Sequence, residues 1–341
     1  MESVHTMNIY DVSKKAGVSI ATVSRVINNN TNVRKLTREK VLKVIEESGY
    51  TPNTFASGLG HNSMNTIGIM CADSSDPFMA KAIYHLEQGL RENHYDVLLC
   101  CTGHVNSDKK KYLDLLLSKR MNAIILVGSN FVEIENDKND YIKAAAIKVP
   151  IMILNGTING SNIYSTLCDD YNAVFDTTTA LLNEGCKDIH YLHNSLSYSG
   201  NRKISGFLAA LHELIPNDKK RQERVHFING NIVETREYLH SLQRNKVQLD
   251  AVITSDDELA IGVLKYAKDL SIQVPSQLSV IGYNNSLIST CCEPELTSID
   301  NKLETLCTCC ISSLMGIFNN QPVPIETVYP AEIIKRSTTK F

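Results

Sequence analysis

The chain has 341 residues, 43% of them hydrophobic and 21% charged, with a formal net charge of −3. That length exceeds one ordinary domain and suffices for sizeable cores. The charge excludes a uniformly polybasic binder, and no apolar run of about eighteen residues is present to span a membrane as a helix. The charge is unevenly spread. Residues 1–60 hold eight Lys/Arg against five Asp/Glu, which is +3 and leaves −6 for the rest. A basic N-terminus on an acidic body points to nucleic-acid contact confined to the first segment.

The opening "MESVHTMNIY" lacks the apolar centre of a signal peptide, so a cytoplasmic location is expected, and Met7 is an alternative start. Ile9, Val12 and Ala16 then recur at helical spacing. Gly17-Val18 breaks that helix, because glycine tolerates the positive φ of a tight turn. Ser19 is a good cap for a second helix, with Ile20, Val23, Val26 and Ile27 on one face and Ala21, Thr22, Ser24, Arg25 and Asn28 on the other. A third helix is expected over Thr37–Ser48, with Val41, Leu42, Val44 and Ile45 inward. Two short helices joined by a glycine turn and closed by a third form a helix-turn-helix. A helix lying deep in the major groove needs small or hydrogen-bonding outward side chains, and a lone Arg25 there suits a guanine edge.

The joint "YTPNTFASGLGHNS" follows. Pro52 ends the third-helix region and Asn53 is placed to cap a short helix, 54–59. Gly58 and Gly60 each weaken a helix by about 1 kcal/mol relative to Ala. So short a helix does not persist alone.

From residue 64 onward, short apolar strands alternate with amphipathic helices. Strands are expected at Thr66–Cys71, Tyr95–Cys100, Ala123–Val127, Ile151–Leu154, Ile189–Tyr191, Val225–Phe227, Ala251–Ile253 and Ser279–Ile281. Helices lie between them, among others at 78–93, 108–119, 171–184, 200–213 and 258–269. The alternation predicts parallel sheets covered by helices, in two Rossmann-like units with a cleft between. Ligands of such sheets bind at the carboxyl ends of strands. Asn155, Asp256, Asn284 and Asn301 each stand just after an apolar stretch. Amides and carboxylates bind adjacent hydroxyls well, which is sugar-recognition chemistry.

The strings "IYDVSKKAGVSIATVSRVIN" and "TREKVLKVIEESGYTPN", with "PFMAKAIYHLEQGLRENHYDVLL", "NAIILVGS", "RKISGFLAAL", "DAVITSDDELAIGVLKYAKDLSIQVPSQLSVIGYNNS" and "PELTSID", resemble the LacI/GalR-type transcription regulators over about residues 7–337. The resemblance implies a helix-turn-helix headpiece at 7–52, a hinge at 53–63 and a periplasmic-binding-protein-like body at 64–337. Within the body it implies one subdomain of about 64–164 and 297–324, and a second of about 165–294 and 325–337, with crossovers near 162–166, 292–297 and 323–326. DNA contacts are implied for Asn8, Ile9, Tyr10, Ser19, Ile20, Ala21, Ser24, Arg25, Asn28, Thr37, Tyr50, Asn53 and Ala56. Leu59 is implied as an apolar wedge in the minor groove of operator DNA. A sugar-like effector is implied at Asp76, Phe78, Asn155, Lys203, Asp256, Asn284 and Asn301.

The chain departs from the family at four points. Lys203 replaces an arginine, Asn284 an aspartate, Ser57 an arginine and Arg34 a serine cap. A point-like ammonium and an uncharged amide read a different hydroxyl pattern. No tryptophan is present to stack on a sugar, which leaves Phe78, Tyr198 and Tyr283 as candidates. The family's leucine-heptad tail is missing after "AEIIKRSTTKF", so a homodimer is expected.

Ten cysteines, several clustered, read as reduced thiols rather than metal ligands, since no zinc-site spacing occurs. No cofactor or metal is expected. Catalytic signatures such as the P-loop or Gly-x-Ser-x-Gly are absent, so an enzyme is not expected. The leading reading is a repressor controlled by a sugar. A regulator that answers to a phosphoprotein corepressor, and a sugar-binding protein without a DNA role, stay open as alternatives.

Overall fold

The structure is a computed structural model that describes residues 7–27, 30, 32–50 and 65–340. The expectations placed on Asn28, Asn53, Ala56, Leu59 and the hinge helix lie outside the described residues. Two compact units divide the chain after Met64.

Among its described residues the first unit has three helices, α1 (Ile9–Ala16), α2 (Ile20–Ile27) and α3 (Lys35–Ser48). Gly17 ends α1 at φ 59°, the left-handed turn the sequence demands, and Ser19 Oγ accepts from the Thr22 amide at 3.2 Å. Val12, Ala16, Val23, Val26 and Val41 form the core, with Ile27, Val44 and Ile45 packed against it. Two expected core residues stand outside. Ile20 is 38% exposed and Leu42 47% exposed. Leu42 is one residue, about 100°, round the helix from Val41, so both cannot face the same core. Arg34 stands at the N-cap of α3 and its side chain makes no capping bond, as expected for a cation there.

The second unit consists of two α/β lobes. In the first, β1 (Thr66–Cys71), β2 (Asp96–Cys101), β3 (Ala123–Val127), β4 (Ile151–Leu154), β5 (Ile163–Cys168) and β11 (Glu326–Tyr329) form a parallel sheet in the order β11-β5-β4-β3-β1-β2. In the second, β6 (Ile189–His193), β7 (Val225–Phe227), β8 (Ala251–Thr254), β9 (Ser279–Tyr283), β10 (Thr297–Asp300) and β12 (Glu332–Ile334) run in the order β12-β10-β9-β8-β6-β7. Only the β10–β12 pair of that sheet is antiparallel.

Helices cover both faces of each sheet, which is why the strands read as continuous apolar runs. In the first lobe, α4 (Pro77–Glu92) and α12 (Leu303–Phe318) bury Leu86, Leu90, Leu306 and Leu314 against Ile67, Ile69 and Ile125. Helices α5 (Asn106–Ser118) and α6 (Asp140–Ala146) also belong to this lobe. In the second lobe, α7 (Asp170–Asn183) and α8 (Tyr198–Leu214) pack on one face, and α9 (Ile232–Arg244) and α10 (Asp257–Asp269) on the other. A single turn, α11 (Ile288–Cys291), precedes β10. Among the described residues, no helix is long and apolar enough to cross a membrane.

The chain crosses between lobes three times, later in each case than the sequence implies. Strand β5 stays in the first sheet as far as Cys168. Strand β10 pairs with β9, so residues 297–300 belong to the second lobe, and β11 pairs with β5, so residues 326–329 belong to the first. "TSID" and "ETVY" are short and half-polar, and nothing in their pattern says which sheet completes them.

Gly206 is where α8 meets α7 most closely. A Cβ there would stand 2.2 Å from the Tyr171 carbonyl oxygen, a backbone atom that cannot swing aside. Gly206→Ala is therefore expected to destabilise the second unit by about 2–4 kcal/mol, read as a lowered urea midpoint. An unchanged midpoint would mean that the two helices separate at little cost.

Candidate functional site

The outward face of α2 is the candidate nucleic-acid surface. Ala21 and Arg25 are exposed, Ser24 is half-buried, and Tyr10 at the start of α1 is also exposed. The exposed cations Lys14, Lys15, Lys35, Lys40 and Lys43 surround this small unit. Asn8 has a structural task that the sequence reading missed. Its side-chain oxygen accepts from the Tyr10 and Asp11 amides at 2.9 and 3.1 Å, and Asp11 returns a bond from the Asn8 amide at 3.0 Å. The pair is a capping box, legible in Asn-x-x-Asp with a carboxylate in place of the usual Glu/Gln. Ile9 and Tyr50 pack against the headpiece core, and Thr37 is half-buried in the first turn of α3.

The second candidate is a cleft of about 680 Å³ between the two lobes of the second unit. Its walls are the carboxyl ends of β1, β3, β4, β6, β8 and β9 and the first turns of the helices that follow them. Asp76, Phe78, Asn155, Lys203, Asp256 and Asn284 all reach it, from segments more than 200 residues apart.

Three helices begin at the cleft, each capped by a side chain. Asp76 Oδ1 accepts from the Met79 amide at 2.9 Å to start α4, Ser197 Oγ from the Gly200 amide at 3.3 Å to start α8, and Asp256 Oδ1 from the Leu259 amide at 2.9 Å to start α10. Carboxylate caps satisfy orphan amides and lie favourably on the helix dipole. Asp256 Oδ2 accepts from Asn194 Nδ2 at 2.9 Å and from Ser255 Oγ at 3.3 Å. Asn155 and Asn284 take positive φ, 66° and 91°, at the ends of β4 and β9. Asparagine tolerates that conformation better than most residues, and it turns the amides out of the strand direction.

Burial is the first cause that raises the Asp256 carboxyl above its ordinary range, against the lowering pull of the Leu259 amide and Lys203. Glu258 is raised by burial and then by Asp256 and Asp76. Lys203 is buried, and burial pulls its ammonium below the usual lysine range, opposed by Asp170 and Asp256. Its Nζ donates to the Ser255 carbonyl at 3.1 Å and stands 3.4 Å over the Tyr283 ring. Tyr283 in turn donates to Asp170.

Three expectations change. Asn301 is 2% exposed and does not reach the cleft wall; its Nδ2 donates to Asn284 Oδ1 at 2.9 Å and fixes that amide from behind. Tyr283 lies under Lys203 and is too buried to stack on a sugar, and Tyr198 is not on the wall. Phe227, 52% exposed at the end of β7, lines the cleft instead. The residues missed are Ser129, Asn130, Asn194, Ser197, His104 and Glu258. Ser129 Oγ donates to Ser197 Oγ at 2.9 Å, a bond from one lobe to the other across the cleft. The side-chain nitrogen and oxygen of Asn130 are buried without a hydrogen-bond partner among the described residues. "GSN" directly after the apolar "NAIILV" was the available signal. Asp257, beside Asp256, turns inward and accepts from Ser286 and Ser298, so "SDD" is not a paired acid.

A carboxyl whose pKa burial raises adds stability below its unfolded pKa and loses it as pH rises through the folded one. Ionising Asp256 as pH rises thus carries a cost that an amide avoids while keeping the cap. Asp256→Asn is expected to raise unfolding stability more at neutral pH than in mild acid. Urea midpoints at the two pH values measure it, and an equal effect at both would contradict the raised carboxyl.

Residues 8–53 match the model of bacterial regulatory proteins of the lacI family, and residues 178–339 that of a periplasmic binding protein-like domain. The chain is 55% identical over 337 residues to an HTH-type transcriptional regulator of Lachnoclostridium phytofermentans, covering 98% of this chain and 100% of that one. It is 31% identical to catabolite control protein A of Priestia megaterium, over 98% and 99% of the two chains. Its fold is similar to that of the lac repressor dimer bound to operator and the anti-inducer ONPF, with TM-score 0.84 and 21% identity over 98% and 99% of the two chains.

Proposed function

The chain belongs to the lacI family of bacterial regulatory proteins, and from that premise we propose that it is a cytoplasmic repressor that binds operator DNA as a homodimer and is controlled by a small sugar held in the cleft. The single observation that carries the effector reading is the set of carboxylates, amides and hydroxyls that both lobes turn into one cleft at strand ends. Such groups donate and accept toward neighbouring hydroxyls. Two aromatic rings, Phe78 and Phe227, supply apolar surface. Its relatives are transcriptional regulators rather than enzymes, and this chain is read in the same way.

A ligand that touches both lobes favours the closed cleft, and closure couples to the headpiece through the segment 51–64. That coupling is a free energy between two sites and acts in both directions. The likeness to a catabolite control protein supports a second reading, in which a phosphoprotein rather than a sugar promotes operator binding.

Selection of operator DNA from a random pool, followed by titration with and without mono- and disaccharides, tests the reading. A sugar that binds in calorimetry and shifts operator affinity supports it. Operator binding that no sugar alters, but a phosphoprotein does, favours the second reading.

Two substitutions separate the sites. Arg25→Ala is expected to cost about 1–3 kcal/mol of operator affinity per half-site and to relax base preference there. Asn284→Ala is expected to weaken sugar binding and leave sugar-free operator affinity near normal. Undiminished, equally selective binding by Arg25→Ala would show that α2 does not read the groove.

A further inference from the structure

The cleft chemistry leaves one pair of thiols unused, at the carboxyl ends of two neighbouring strands. Cys71 closes β1 and Cys101 closes β2, and the two are register partners in a parallel pair. Partners of that kind project to the same face of the sheet. Their sulfurs stand 3.7 Å apart, with Cys71 buried and Cys101 exposed. Cys307 and Cys310, by contrast, are both buried.

We propose that Cys71 and Cys101 are an oxidisable dithiol that a hydroperoxide converts reversibly to a disulfide. Cys101, open to solvent, attacks the peroxide as its thiolate. An S–O bond forms, the O–O bond breaks, and the leaving oxygen takes up a proton to depart as water or an alcohol. Cys71 then gives up its proton and attacks the sulfenic sulfur of Cys101. The S–S bond forms, the S–O bond breaks, and hydroxide leaves with that proton as water. Two thiols have lost two electrons and two protons, and the peroxide has gained them.

The division of roles follows from the surroundings. Burial, and then the neighbouring Cys101, push the Cys71 thiol up to about 12, so Cys71 keeps its proton until a sulfenic acid forms beside it. Bonding requires the sulfurs to approach by only about 1.7 Å, to a bond of about 2.05 Å.

The position gives the bond a consequence. The Thr102 amide donates to the Cys71 carbonyl at 2.8 Å and the Gly103 amide to the Ala72 carbonyl at 2.9 Å, so the two strand ends are already tied. The next residues along each strand lead to Asp76 and His104 on the cleft wall. A disulfide here fixes the roots of one wall, and the proposal stands whether or not the cleft holds a sugar.

The test is peptide mass mapping of the reduced full chain after native treatment with hydrogen peroxide and alkylation of free thiols. The expected product is a peptide pair joined through Cys71 and Cys101, lacking two hydrogens and separated again by dithiothreitol. In Cys71→Ala the Cys101 sulfenic acid has no resolving partner, and its labelling by dimedone should rise on the order of tenfold over wild type. In Cys101→Ser, Cys71 should stay unmodified. Full alkylation of both thiols after peroxide overturns the proposal, as does a disulfide-linked dimer through Cys101 on non-reducing gels. Should Cys71→Ala not fold, the wild-type map alone decides.

Discussion

A lysine ammonium buried beneath the cleft between two lobes must be compensated, and the surroundings of Lys203 supply that compensation. The Ser255 carbonyl accepts from it at the end of β8, and the Tyr283 ring offers its π face at the end of β9. Tyr283 is itself held by Asp170 at the start of α7. One charge on α8 therefore joins the ends of two strands and the first turn of a second helix. The helices can pack that closely because residue 206, one turn along from Lys203, is glycine. An unpaired ammonium here would be strongly disfavoured, so these partners constrain one another and the cleft floor becomes a single unit.

The acids of the cleft sit above that floor in a different balance. Asp76 and Asp256 each spend one oxygen capping a helix, which anchors the carboxylate and leaves the other oxygen to face the cleft or a neighbour. Glu258 feels both of them, from opposite lobes. Carboxylates brought toward each other across a closing cleft repel. The Ser129–Ser197 bond opposes that repulsion with one weak link between the lobes. On the proposed reading, a hydroxyl-bearing ligand that donates to these acids from both lobes would relieve that repulsion. Binding on that reading then favours closure, the differential affinity that an effector-controlled regulator needs.

The sequence made much of this legible. The Gly17 turn, the Val-rich seams of the first unit and the apolar strands of the body all follow from local pattern, because each needs only the period of its own element to be recognised. Of the four candidates that follow an apolar strand, Asn155, Asp256 and Asn284 reach the cleft, since a parallel sheet places all such carboxyl ends on one edge; Asp76, Phe78 and Lys203, implied by the resemblance, reach it too. What local pattern cannot show is depth. Asn284 and Asn301 look alike in sequence, each following a strand, yet one faces the cleft and the other props it from behind. Tyr283 looks like a stacking surface and is a buried partner for a cation.

The sequence by itself determined eight of the twelve described strands, the division into a small helical unit and a large α/β body, and the strand-end chemistry, since these depend on neighbours in the chain. Only the tertiary structure decided the lobe membership of β5, β10 and β11, because parallel strands choose partners through packing between distant segments and not through their own few residues. It alone decided that Asp256 faces the cleft while Asp257 is satisfied inside. Adjacent residues on a helix point about 100° apart, and which one meets Ser286 and Ser298 depends on how α10 is laid against β9 and β10.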